Sequence, residues 1–230
     1  MAAPDDSPKG PERRVWAGTT LEERRAERRR NLVDTALSLI GGEGCTAVTV
    51  RSVCRKAGLT DRYFYENFDG RDDLVVTTFN EVVGEALALL RDSISRLPDD
   101  SLETRARTIV NAFLSFAIDD PRKGRLLLVE PLAEKALTGV GVTFGPIITK
   151  LMRAQFPAGP DRPSRTSRAM TALGLTGSLG ALFSAWLGGT LHVTRDELTD
   201  HCVILILNSY APRRPASPLL IDGPIRSPID

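Results

Sequence analysis

The sequence has almost no net charge. Thirty Lys and Arg stand against twenty-nine Asp and Glu, a balance of +1. Gross charge therefore announces no polyanionic partner, and any nucleic-acid binding must come from local arrangement. Cysteine is scarce: Cys45, Cys54 and Cys202 are an odd number, and no pair has Cys-x-x-Cys spacing. That pattern excludes a disulfide framework and a zinc site, and reads as reduced thiols in a cytoplasmic protein. The only histidines, His192 and His201, are nine apart and fall on opposite sides of a helix, so they predict no shared metal. Residues 1–20 are rich in Pro, Gly, Ser and charge, with no apolar stretch of the kind a secretory leader carries. Sustained two-residue alternation is missing too, which argues against strands.

One absence cuts the other way. From Ala169 to Thr194 there is no Asp, Glu, Lys or Arg, a run long enough to cross a bilayer. It contains five glycines and several Thr and Ser, and no second span accompanies it. The expectation is a core or interface helix, with no membrane. Hydrophobic residues make up 42% of the chain, too many for a disordered one.

What is present is helical. Thr20-Leu21-Glu22-Glu23 is a capping box that opens a first helix, ended by Gly41-Gly42-Glu43-Gly44. Thr49 starts a short second helix, Val50 to Ala57, and Gly58-Leu59 makes a tight turn. Thr60 starts a third, Asp61 to Asn67. A long fourth helix is expected from Arg71 to Leu97, where Pro98 stops it. A fifth should run from Ser101 to Ile118, a sixth from Arg122 to Leu137, and a seventh from Pro146 to near Phe156. An eighth covers Ser164 to Leu187, and a ninth follows the capping box Thr194-Arg195-Asp196-Glu197 to Tyr210. The fold class is all-α with about nine helices. The expected organisation is an N-terminal arm over 1–20, a three-helix domain over 21–70, a helical bundle over 71–210, and a disordered, proline-rich tail over 211–230.

Three helices with a glycine turn between the last two make a helix-turn-helix. In the third, Phe64 and Phe68 are four apart and face inward, which leaves Asp61, Arg62, Tyr63 and Tyr65 for the outside. A helix of this size fits a major groove. Residues 21–75 carry ten basic and ten acidic side chains, so binding there must rest on placement. The stretch "TALSLIGGEGCTAVTVRSVCRKAGLTDRYFYENFDGRDDL" resembles the TetR family of repressors. The likeness lies in Phe64-Tyr65-Glu66-Asn67-Phe68 and in the opening of the next helix. There Arg71-Asp72-Asp73-Leu74 replaces the family's usual lysine with arginine.

The resemblance implies a homodimer on double-stranded operator DNA, released when a small molecule binds the C-terminal half, with no cofactor and no catalysis. It also implies roles that the chemistry of the residues agrees with. Thr49 and Thr60, at helix N-termini, would hold phosphates. Tyr65 and Arg71 would be further phosphate contacts, which position without reading sequence. Arg51, Arg62 and Tyr63 would read bases, Arg62 being suited to guanine O6 and N7. The arginines of Arg24-Arg25 and Arg28-Arg29-Arg30 could follow a DNA backbone or enter a minor groove.

In the second half, small residues on one side of the eighth helix and large apolar ones on the other suit a junction across a two-fold axis. Gly177, Ala181 and Ala185, with Val203, Ile206 and Leu207 of the ninth helix, are the expected dimer interface. An effector pocket should lie between the fourth and eighth helices. Its expected lining is Phe113, Phe116, Leu127, Glu130, Phe144, Met152, Met170 and Trp186, which suits an apolar or aromatic ligand. Glu130 and Glu134 are one turn apart, a pair that could touch a ligand or be a face bridged by Arg or Lys. Enzyme motifs fit poorly. Gly139–Gly145 lacks a preceding strand for a nucleotide loop, and Gly177-Ser178-Leu179-Gly180 has the wrong spacing for a nucleophile elbow. Two other readings stay open: an architectural DNA-binding protein without effector, and a helical protein-interaction module.

Overall fold

The computed structural model describes residues 20–97, 101–138, 150 and 164–210. Among them there is no strand. The α-helices are α1 (Leu21–Glu43), α2 (Val50–Ala57), α3 (Asp61–Tyr65), α4 (Arg71–Ser95), α5 (Leu102–Asp119), α6 (Pro121–Leu128), α7 (Arg165–Leu187) and α8 (Arg195–Tyr210). Short 3-10 turns lie at Cys45–Ala47 and Glu130–Leu132. The seventh expected helix apart from position 150, residues 1–19 and 211–230, and the pocket candidates Phe144 and Met152 lie outside the described residues.

The caps act as the sequence suggests. Thr20 and Glu23 exchange hydrogen bonds at the start of α1. At α2 the Thr49 hydroxyl accepts from the Ser52 amide, and Ser52 Oγ accepts from the Thr49 amide, so two orphan donors are satisfied together. Gly58 ends α2 at φ +68°, a left-handed conformation that suits glycine. Thr60 departs from expectation: its side chain makes no cap hydrogen bond. Helix α3 stops at Tyr65 rather than Asn67, and α4 at Ser95 rather than Leu97.

The sixth expected helix is corrected most. It ends at Leu128, and a 3-10 turn follows. Pro131 has no N–H to continue an i→i−4 ladder, so the chain turns there. That turn sets Glu130 and Glu134 against the N-terminal helices.

One continuous cluster of buried side chains runs from Leu32 on α1 through Phe64, Phe68, Phe79 and Leu114 to Ile206 on α8. Helix α6 reaches it by lying across α1 and close against α5. Gly124 is what permits the approach, because a Cβ there would sit 2.6 Å from the Ala117 carbonyl oxygen. The three cysteines are free and buried. Burial, aided by nearby Glu130, pushes the Cys45 thiol up to about 12, and burial lifts Cys202 to about 11, so these two are inert packing residues.

Candidate nucleic-acid interface

Helix α3 is amphipathic within five residues. Phe64 and Phe68 are buried with ring centroids 5.8 Å apart. Asp61, Arg62, Tyr63 and Tyr65 are exposed, Tyr65 to 61%. The Arg62 side chain is 85% exposed. Thr49, Arg51 and Thr60 are exposed as well. The structure thus brings Arg62, Tyr63 and Tyr65 to one short exposed helix, with Thr49 and Arg51 at the start of its partner.

The arginine run of α1 does something the sequence did not suggest. Arg25 Nη2 donates to the Glu66 carbonyl and Arg29 Nη1 to the Asn67 carbonyl. These are orphan acceptors at the C-terminal end of α3, where cations are favoured. Arg28 lies 4.6 Å above the Tyr63 ring, and Arg29 4.5 Å above that of Phe68. Three of the five arginines therefore pin the recognition helix. The spacing of Arg25, Arg28 and Arg29 on one helical face was the available signal.

Arg71 also departs from expectation. Its guanidinium points into the junction between halves. Nε donates to the Val48 carbonyl (3.0 Å) and Nη2 to the Cys45 carbonyl (2.8 Å), while Nη1 and Nη2 fork onto Glu134 (3.1 and 2.5 Å). The Glu134 side chain is only 10% exposed. Its hydrogen bond to Arg71 outweighs burial and holds its carboxyl below the ordinary range, and the Arg71 pKa is raised in return. Beside it, Glu130 accepts from the Cys45 amide (2.8 Å) and from Arg125 Nε (2.8 Å). Two carboxylates of the α6 region thus clamp the turn between α1 and α2. Glu130, expected to line a pocket, is a member of this clamp, for a buried carboxylate needs donors and the junction supplies them.

The family model for bacterial regulatory proteins of the tetR family matches residues 32–78, from mid-α1 into α4. Over those residues the chain is similar to that family. Solved structures of similar fold extend the likeness over most of the molecule. A proposed transcriptional regulator from Pseudomonas aeruginosa PAO1 is 19% identical, over 81% of this chain and 91% of that one, with a TM-score of 0.67. The multidrug binding protein EbrR, solved with imidazole, is 17% identical over 83% and 97%, TM-score 0.61. FadR from Bacillus subtilis, solved with stearoyl-CoA, is 14% identical over 78% and 98%, TM-score 0.59. At these identities the likeness is one of fold.

Behind the matched segment, the helical half places its expected site residues unevenly. Phe113 stacks on Phe183 at 5.2 Å, Leu127 is buried, and Phe116 lies under the Lys123 ammonium at 5.3 Å. Trp186 Nε1 donates to the Val193 carbonyl (2.8 Å), which orients the indole. Met170 corrects the pocket expectation: it is 63% exposed on the outer face of α7. An open groove of about 700 Å³ runs along α5, lined by polar residues including Thr104, Arg107, Asn111 and Ser115, and none of the expected pocket residues lines it.

The interface candidates divide as well. Gly177 and Ala181 are exposed, and Ala185 and Leu207 are half-buried. Val203 and Ile206 correct the expectation, since both are buried inside the chain, and Ile204 is the large apolar α8 residue that is exposed, at 55%. An apolar helix has two large faces, and the sequence did not say which one its own chain would cover. By length and composition α7 would pass for a membrane span, with mean hydropathy 1.3 over its most apolar window. Only 22% of that window is buried within the chain.

Proposed function

We propose that this chain is a DNA-binding transcriptional regulator, a repressor that leaves its operator when a small molecule binds the helical half. The observation that carries the reading is the face of α3, where Arg62, Tyr63 and Tyr65 stand exposed over a Phe64–Phe68 base in a segment similar to the tetR family. Arg62 reads a base edge and Tyr65 contacts phosphate, assisted by Thr49, Arg51 and Thr60. The protein works as a homodimer in the cytoplasm, with no catalytic role and no bilayer. The exposed stripe of Met170, Leu173, Gly177 and Ala181 on α7, with Ile204 exposed on α8, supports a second copy as its cover. An apolar or aromatic effector suits the Phe113, Phe183 and Trp186 interior. That proteins of this fold have been solved with stearoyl-CoA and with imidazole supports a small-molecule role for this half.

The test is selection of duplexes from a random pool by the purified protein, followed by affinity measurements on the selected site. Binding should fall steeply with salt. Arg62→Ala should relax preference at one base position, by about 1–3 kcal/mol. A ligand found by melting shift should then weaken operator binding. No selection of any duplex would overturn the reading, and a melting-shift ligand with no effect on operator affinity would remove the switch.

A further inference from the structure

Resting on the reading of Arg62 as a base contact, the geometry points to Glu66 as the positioning residue that makes Arg62 specific. Arg62 and Glu66 are four apart, and Arg62 Nε donates to Glu66 Oε1 at 3.1 Å. No other hydrogen bond or ion pair engages the Arg62 side chain among the described residues, so both of its terminal amino groups stay open. An arginine reads guanine by forking two N–H groups onto O6 and N7. With Nε occupied, the end-on fork is the one left, and it points away from the protein.

Glu66 can act as a buttress because it is itself held. Arg25 binds its backbone carbonyl, and Arg28 Nη2 lies 4.0 Å from Glu66 Oε2. Arg28 also lies over the Tyr63 ring, next to Arg62 in sequence. The carboxylate is thus suspended between one arginine from α1 and one aimed outward. In water an exposed i,i+4 pair orders a long side chain only weakly. Entry into a groove removes water, strengthens the pair and rewards a guanidinium already aligned. Glu66 also neutralises one charge of Arg62 toward its own side, which disfavours a loose phosphate contact by the same guanidinium.

The experiment uses the full-length protein and the operator it selects, with each of the four bases in turn at the position Arg62→Ala relaxes. Guanine preference in the parent protein should be about 5- to 150-fold, the range of a forked contact. Glu66→Ala should reduce it roughly three-fold or more. Glu66→Gln, which keeps a neutral acceptor of the same length, should fall between. Affinity for unrelated duplex should hold or rise, because a negative charge has gone, whereas a misfolded helix would lose affinity on every sequence. In an Arg62→Ala background the Glu66 changes should leave base preference where it is. Unaltered preference in Glu66→Ala, while Arg62→Ala abolishes it, overturns this inference and leaves the proposed function standing. A Glu66 effect of equal size without Arg62 also overturns it. If Arg62→Ala itself leaves the preferred base unchanged, the assignment of Arg62 falls and this inference with it.

Discussion

Arg71 shows how far one side chain's surroundings can redirect its chemistry. On the sequence it opens α4 beside the recognition helix, where a cation suits a phosphate. In the structure five acceptors hold it, the Val48 and Cys45 carbonyls, Asp72 and both Glu134 oxygens, with Glu134 foremost. Arg71→Ala should therefore leave the dependence of DNA affinity on salt unchanged and lower stability by about 1–3 kcal/mol, since it strands a buried carboxylate. Chemical denaturation and a salt titration of binding check the two halves of this statement. Glu134→Gln should destabilise in the same way. Because the Glu134 pKa is depressed by Arg71, the contact is fully present above the ordinary glutamate pKa of about 4.3 and is lost as pH falls through the lower folded value. The stability gap between the parent protein and Glu134→Gln should stay constant from neutral pH to about pH 5 and close only below about pH 4.

Helices were legible where their ends carry their own chemistry. The capping boxes at Thr20 and Thr49 and the glycine stop at Gly58 are local, and local sequence determines them. The sixth helix was overrun because its apolar periodicity continues past Pro131 while its hydrogen-bond ladder does not. The close crossing of α5 and α6 was not legible at all, for nothing beside Gly124 in sequence announces the Ala117 carbonyl. Gly124→Ala should cost about 1–3 kcal/mol through overpacking, although alanine is the better helix former. Thermal denaturation reads this directly, and a stabilised variant would show that the two helices have room to separate. As α6 also bears on α1 and precedes the carboxylate clamp, the same change should alter operator affinity.

At the scale of the whole molecule, α7 presents an apolar surface that one chain leaves largely open. Ala181→Glu puts a charge on the exposed stripe without touching the buried face made by Ala172, Leu175, Leu179 and Phe183. The parent protein should sediment as a dimer and the variant as a monomer that retains its helical content and loses operator affinity. A parent monomer at micromolar concentration would overturn the dimer. Helix α4, 25 residues and so roughly 37 Å long, runs from the recognition helix into the helical half. It is continuous with the core and joined to Glu134 at its first residue, which makes it a rigid link between the two proposed sites.

The helical class, the helix-turn-helix and the exposed residues of α3 could be read without the fold. Each depends on periodicity, caps and turns within a few residues of one another. The partners of the charged residues came from folding alone. Arg25, Arg28 and Arg29 meet α3 from about forty positions away, and Arg71 meets Glu134 across 63. Folding likewise turned Val203 and Ile206 inward and left Ile204 exposed. A charge or an apolar side chain carries the same signal whether it faces DNA, a second copy or its own core, and the partner that settles its role is brought to it by folding.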